Sequence, residues 1–141
     1  ERGVYLMKPN LGELAYLAGL EELRHSDAVE AARKIIAKGM CEVLVVSMGV
    51  HGATLVTKDT FEIVQPPTVE LKSTVGAGDS MVAGIIYFLS KGKSIAEAVR
   101  YGDACGTAAT MNPGTELCKK EDAEKLYGLI QSVEAVALKV A

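Results

Sequence analysis

The chain has 141 residues with 49% hydrophobic and 23% charged residues and a net charge of -3, enough apolar content for one domain with a buried core. Acidity of this kind excludes a basic face for nucleic acid or an anionic membrane, and no apolar run is long enough to cross a bilayer. No signal peptide follows Glu1, so the expectation is a soluble, cytoplasmic chain.

Val4-Tyr5-Leu6-Met7 predicts a buried strand that stops at Lys8-Pro9-Asn10. Leu11, Leu14, Leu17 and Ala18 then recur at helical spacing as far as Gly19. A second helix is predicted from Asp27 to Lys38, with Val29, Ala32, Ile35 and Ile36 as its apolar stripe and Gly39 as its stop. Val43-Leu44-Val45-Val46 is apolar on both faces, as a central parallel strand would be, and it ends at Ser47-Met48-Gly49. Ala53–Thr57 and Phe61–Gln65, joined by Lys58-Asp59-Thr60, predict a hairpin closed by Pro66-Pro67.

Three helices follow. One runs from Gly78 to Ser90 with Met81, Val82, Ile85, Ile86 and Leu89 as the expected buried face. The next opens on the capping-box pair Ser94 and Glu97, is rich in small residues, and ends at Asn112-Pro113-Gly114. The last is predicted from Lys120 to Ala135, with the apolar tail from Val133 to Ala141 as a packed helix end. The pattern is α/β, with fewer strands than so many helices need for cover.

Cys41, Cys105 and Cys118 form no CxxC pair, and with only His25 and His51 to help they predict reduced, buried thiols rather than a metal cluster. The chemistry concentrates at Ser73-Thr74-Val75-Gly76-Ala77-Gly78-Asp79-Ser80, where a glycine-rich loop leads directly into a helix. Inward-turned amides and the positive end of the helix dipole make an anion site. In phosphoryl transfer, amide donors should face the charge spread over the transferred group, and an acid beside them can take the proton of an attacking hydroxyl. An ordinary loop, with Asp79 simply favourable at a helix start, accounts for the same letters. There is no third glycine at Met81 for a dinucleotide fingerprint, no GxxxxGK stretch for a P-loop, and Ser80 has no triad partners at recognisable spacing.

Lys8-Pro9-Asn10 with Glu13 stands at the end of one strand, and Ser47-Met48-Gly49 with Gly52 at the end of the other. Lys8 could meet a phosphate and Glu13 a metal-bound water. Capping at Asn10 and Glu13, and a tight turn at Gly49 and Gly52, are the plainer readings. In a parallel sheet both strand ends would share one edge, where α/β proteins bind ligands.

These segments together resemble the ribokinase-like (PfkB) carbohydrate kinases. Thr74-Val75-Gly76-Ala77-Gly78-Asp79 is similar to the family's second signature, Asn10 to Glu13 to its NxxE element, and Val45–Gly49 with Gly52-Ala53 to its nucleotide loop. Thr107–Thr115 is similar to its late nucleotide and cation segment, and the wording is most similar to the minor 6-phosphofructokinase branch. The resemblance implies a ribokinase-like, Rossmann-type three-layer α/β/α fold, of which residues 1–141 are the carboxy-terminal, nucleotide-binding part, without the amino-terminal sugar-binding half and lid. It implies ATP, Mg²⁺ and K⁺ as cofactors, a sugar phosphate (fructose 6-phosphate first) as substrate, and a homodimeric parent.

Residue by residue, the resemblance makes Asp79 the base and Gly76, Ala77 and Gly78 the anion hole. Lys8, Asn10, Ser47, Gly49, Gly52, Asp103 and Thr107 would bind the nucleotide, and Glu13 would hold Mg²⁺ through water. Ser73, Val75, Ala109, Asn112, Gly114 and Glu116 would surround the monovalent cation. Tagatose 6-phosphate, fructose 1-phosphate, fructose or ribose as acceptor, and a non-catalytic nucleotide-sensing role, are the other readings. A nicotinamide-binding oxidoreductase domain is disfavoured by the missing third glycine.

Overall fold

The computed structural model describes residues 3–135, with the side chains beyond 130 left out of account. The strands β1 (Val4–Met7), β2 (Cys41–Ser47), β3 (Ala53–Val56), β4 (Phe61–Gln65) and β5 (Gln131–Ala135) form one sheet in sequence order. The helices are α1 (Leu11–Leu17), α2 (Ala28–Ala37), α3 (Ala77–Ser90), α4 (Ile95–Thr110) and α5 (Lys120–Tyr127). β1 pairs parallel to β2, with Leu6 beside Val43, and β2 pairs antiparallel to β3, with Val45 beside Leu55. The sheet is therefore mixed. The described residues divide into two compact units, the first holding residues 3–49, 53–63 and 133–135 and the second residues 50–52 and 64–132.

In the first unit, α1 and α2 lie against the parallel pair. Leu14, Ala28, Ala31, Ala32 and Ile35 meet Cys41, Leu44, Val46 and Val56 in one buried cluster. Of the four stripe residues expected on α2, Ala32 and Ile35 are buried, whereas Val29 and Ile36 sit at its margin beside the small Ala28 and Ala31. A 3-10 turn, His25–Asp27, leads into α2, and Gly39, at φ 78°, receives its end. The hairpin β3–β4 closes through Thr57 and Thr60, whose backbone groups bond at 2.9 Å and whose hydroxyls lie 2.8 Å apart.

In the second unit, α3 and α4 pack face to face through glycine. A β-carbon on Gly84 would stand 2.8 Å from Cys105 Sγ, and one on Gly102 would stand 2.5 Å from Ile85 Cγ1 and 2.8 Å from the Met81 carbonyl. A β-carbon on Gly106 would likewise stand 3.1 Å from the Ala77 carbonyl. This contact turns α3 so that Met81 and Ile85 are buried, while Val82 and Ile86, expected on the same face, are 38% and 60% exposed. Phe88 stacks on Tyr101 with ring centroids 4.0 Å apart, and Tyr127 of α5 meets both rings edge-on.

The helix expected from Lys120 to Ala135 is a correction. It stops at Tyr127; Gly128 follows, and the amides of Leu129 and Ile130 turn back to the carbonyls of Leu126 and Tyr127. Residues 131–135 then run as a strand beside β4. Gln131, Glu134 and Ala135 favour a helix locally, but the sheet edge at β4 offers this segment ladder bonds instead. Of the apolar tail, residues 133–135 belong to this strand, and residues 136–141 lie outside the described residues. Among the described residues no helix is long and apolar enough to cross a membrane.

The glycine contact between α3 and α4 generates a test. Gly102→Ala forces a methyl group against the Met81 carbonyl, and overpacking of this kind costs about 1–3 kcal/mol. A urea titration is expected to show a lower midpoint with an unchanged slope.

Candidate functional site

The first part of the site is built where β1 and β2 end side by side. The Ser47 amide donates to the Pro9 carbonyl at 3.0 Å, and Asn10 and Ser47 continue the parallel pairing beyond both strands. The two strand ends expected to share an edge do share it. Asn10 caps α1: its Oδ1 accepts from the Glu13 amide at 2.8 Å, and Glu13 Oε1 accepts from the Asn10 amide at 3.4 Å. The plainer capping reading of these two residues is thus the one the geometry displays; both are solvent-exposed, and Glu13 lines a cavity.

That cavity has a volume of about 560 Å³ and is lined by Met7, Lys8, Pro9, Gly12, Glu13, Tyr16 and Leu17. Lys8 and Glu13 bring opposite charges to it. After Ser47 the chain turns at Gly49, φ 57°, a conformation that an L side chain resists. Gly52, in the second unit, has φ 87° and a more severe constraint, because a β-carbon there would stand 2.0 Å from the Val64 carbonyl.

The second part is the turn into α3. Val75 donates its amide to Ser73 Oγ at 3.2 Å, and the amides of Lys72 and Ser73 both reach the Thr110 carbonyl at the end of α4. The loop is therefore anchored before it delivers Gly76. Gly76 is the N-cap of α3 in the left-handed conformation, φ 83°. Asn10 and Ser94 cap their helices with side-chain oxygens; Gly76 has no side chain to offer. First-turn amides lack intrahelical acceptors; here the Ala77 amide makes only a long bond, 3.4 Å, to the Thr74 carbonyl. Asp79 stands in that first turn, exposed to solvent.

Behind this turn, Ser80 is buried and its Oγ accepts from the Cys118 amide at 3.4 Å. Buried Asn112 donates Nδ2 to the Leu117 carbonyl at 2.9 Å, closing the loop through Gly114 (φ 64°) and exposed Glu116. Ala109 is buried near the end of α4, and Thr107 accepts the Thr110 hydroxyl at its carbonyl. The second unit thus gathers Ser73, Val75, Gly76, Ala77, Gly78, Asp79, Ala109, Asn112, Gly114 and Glu116 around the start of α3 and the end of α4. The support from Ser80 and from the Thr110 carbonyl was not anticipated. A serine one position into an apolar helix face was the signal that could have found the first, and nothing in the letters marks the second.

Asp103 lies on α4, only 5% exposed, and its Oδ2 has no hydrogen-bond partner. Burial pushes its carboxyl up to about 7. Tyr101 and Cys105 on the same helix are also pushed up to about 12, in each case mainly by burial. Among the described residues no cluster of three or more His, Cys, Asp or Glu side chains could hold a metal ion alone.

Comparison with known proteins supplies the family. The profile of "pfkB family carbohydrate kinase" matches residues 2–122. The chain is 42% identical over 127 residues to the ATP-dependent 6-phosphofructokinase isozyme 2 of Escherichia coli (strain K12), covering 90% of this chain and 41% of that protein. It is 40% identical over 105 residues to the 1-phosphofructokinase of the same strain, covering 74% of this chain and 33% of that one. The crystal structure of phosphofructokinase-2 from Escherichia coli in complex with potassium superimposes with a TM-score of 0.86 at 41% identity, over 91% of this chain and 41% of that one. The chain spans less than half the length of the curated relatives it matches.

The titration of Asp103 can be read in solution. Its folded value, about 7, lies above the ordinary 3.8, so between these values the folded state binds the extra proton. Stability from this group is fully present below the lower value and is lost as pH rises through the higher one. Asp103→Asn is expected to abolish that fall and to leave the protein roughly 1–3 kcal/mol more stable than the unsubstituted chain at pH 8. Denaturant midpoints measured at both ends of the range check this.

Proposed function

The chain belongs to the pfkB family of carbohydrate kinases, and from that premise we propose that it is the carboxy-terminal, nucleotide-binding part of a single kinase domain that phosphorylates a sugar phosphate. Fructose 6-phosphate, giving fructose 1,6-bisphosphate with ATP as donor, is the acceptor best supported, because the 6-phosphofructokinase relative has the highest identity of the relatives compared. The amino-terminal half, with the sugar site and lid, lies outside residues 1–141. The parent is a cytoplasmic homodimer in this reading.

The observation that carries the proposal is the turn into α3. An N-cap without a side chain, held in the left-handed conformation, leaves amide donors beside an exposed carboxylate one turn into the helix. Gly76, Ala77 and Gly78 meet the charge that develops on the transferred phosphoryl group. Asp79 accepts the proton of the attacking hydroxyl. The Lys72 and Ser73 amides, fixed on the Thr110 carbonyl, and the Val75 amide, held by Ser73 Oγ, keep this turn from moving as charge builds.

Lys8, Asn10, Ser47, Gly49 and Gly52 bind the nucleotide phosphates and ribose, with Asp103 and Thr107 toward the adenosine. Glu13 fits a Mg²⁺ ion held through water: its single carboxylate is presented by the capping box beside Lys8, and a hard cation can keep most of its water while sharing the phosphates. The ion, when bound, neutralises phosphate charge. The backbone of Ser73, Val75, Ala109, Asn112 and Gly114, with Glu116 beside it, suits a monovalent cation such as K⁺. The loop closed by the Asn112 side chain onto Leu117 contains two of these residues, Asn112 and Gly114.

Two measurements test this reading. ADP release with MgATP across a panel of sugars and sugar phosphates is expected to be fastest with fructose 6-phosphate in the full-length parent. Asp79→Asn is expected to lower it by at least about 10²-fold while ATP still binds. A different preferred acceptor would correct the substrate and keep the mechanism, whereas ATP binding without turnover on any acceptor would favour a sensing role. Residues 1–141 alone are expected to bind nucleotide weakly and to release no ADP; turnover by them would overturn the assignment of the acceptor site to the missing half.

A further inference from the structure

Two of the three cysteines meet in the second unit. Cys105, on α4, is 3% exposed and packs against Tyr101, Ala104 and Ala108, and Cys118, in the loop before α5, sits partly exposed on the same cluster. The Cys105 thiol has the Tyr101 hydroxyl and the Cys118 thiol as its polar neighbours within this cluster. Both thiols are free. Cys41 is buried in the other unit, against α1 and α2.

We propose that Cys105 and Cys118 are a modification site, a thiol pair that a peroxide oxidises to an intramolecular disulfide joining α4 to the loop ahead of α5.

The exposure of the two thiols sets the order of events. The partly exposed Cys118 sulfur attacks the peroxide oxygen; the O–O bond breaks, Cys118 becomes a sulfenic acid and, with hydrogen peroxide, one water leaves. The Cys105 sulfur, already in contact, then attacks the sulfenic sulfur; the S–O bond breaks and the hydroxyl departs as a second water with the Cys105 proton. Two thiols have lost two electrons and two hydrogens to the peroxide. Closing the pair from thiol contact to a bonded distance of about 2 Å needs side-chain rotation and a small shift of the Cys118 loop.

The bond would fasten a segment that already holds the start of α3. The Cys118 amide donates to Ser80 Oγ, and the neighbouring Leu117 carbonyl takes the Asn112 amide. Oxidation therefore reports on, and fixes, the loop from Asn112 to Cys118.

The test is peptide mapping of the reduced protein after exposure to hydrogen peroxide, with free thiols alkylated under denaturing conditions. Trypsin yields one peptide from Tyr101 to Lys119 containing both cysteines, and cleavage after Glu116 separates them unless they are joined. The expected result is a joined pair, released by reductant, with Cys41 alkylated. Cys105→Ala is expected to leave Cys118 as a sulfenic acid that dimedone traps. Both cysteines alkylated after peroxide would overturn the proposal. Dimedone adducts on Cys118 as abundant in the unsubstituted chain as in Cys105→Ala would do the same, and so would linkage between two chains. Pairing in urea-unfolded protein should be slower by about tenfold or more, since the fold holds the sulfurs together; an equal rate would remove the structural basis.

Discussion

The close approach of α3 and α4 is the constraint on which the second unit depends. Three glycines, Gly84, Gly102 and Gly106, remove the side chains that would otherwise hold the helices apart. With the backbones in contact, the start of α3 rests on Gly106 at Ala77, and the end of α4 offers the Thr110 carbonyl to Lys72 and Ser73. The glycine turn at Gly76 is thus held from both sides. A wider spacing would leave the same residues present but the amides of the turn unaimed, and preorganised donors are what make such a turn able to stabilise charge.

The first unit shows a different economy. Asn10 and Glu13 satisfy orphan amides at the start of α1, a structural task that leaves the Glu13 carboxylate at a solvent-facing cavity with Lys8. Capping and ligand binding are not rival assignments here. A side chain fixed by a capping box loses rotamer freedom on folding rather than on binding, so less remains to be lost when a ligand arrives. The parallel pairing of β1 and β2, prolonged to Asn10 and Ser47, puts the start of the Ser47–Gly49 turn next to that box.

Asp103 and Cys105 share the buried side of α4, a helix whose small residues permit dense packing and whose few polar groups are correspondingly desolvated. The carboxyl has no partner for Oδ2, whereas the thiol has two neighbours, Tyr101 and Cys118. Burial alone lifts the carboxyl toward neutrality, and the same burial leaves the Cys105 thiol shielded beside a partly exposed partner.

The sequence by itself determined the α/β class, the parallel strand ends at Asn10 and Ser47, most helix boundaries, the glycine turn before Asp79 and the family. Each is written in local signals: apolar period, capping pairs, and glycines where only glycine tolerates the backbone. Only the tertiary structure decided that Val82 and Ile86 face outward, because the buried side of α3 is chosen by the glycines of α4 and not by its own apolar period. It also decided that residues 131–135 form a strand, since an open sheet edge is invisible to local propensity. The orphaned Asp103 oxygen and the meeting of Cys105 with Cys118 depend on contacts between separate segments, and spacing along the chain carries no record of them.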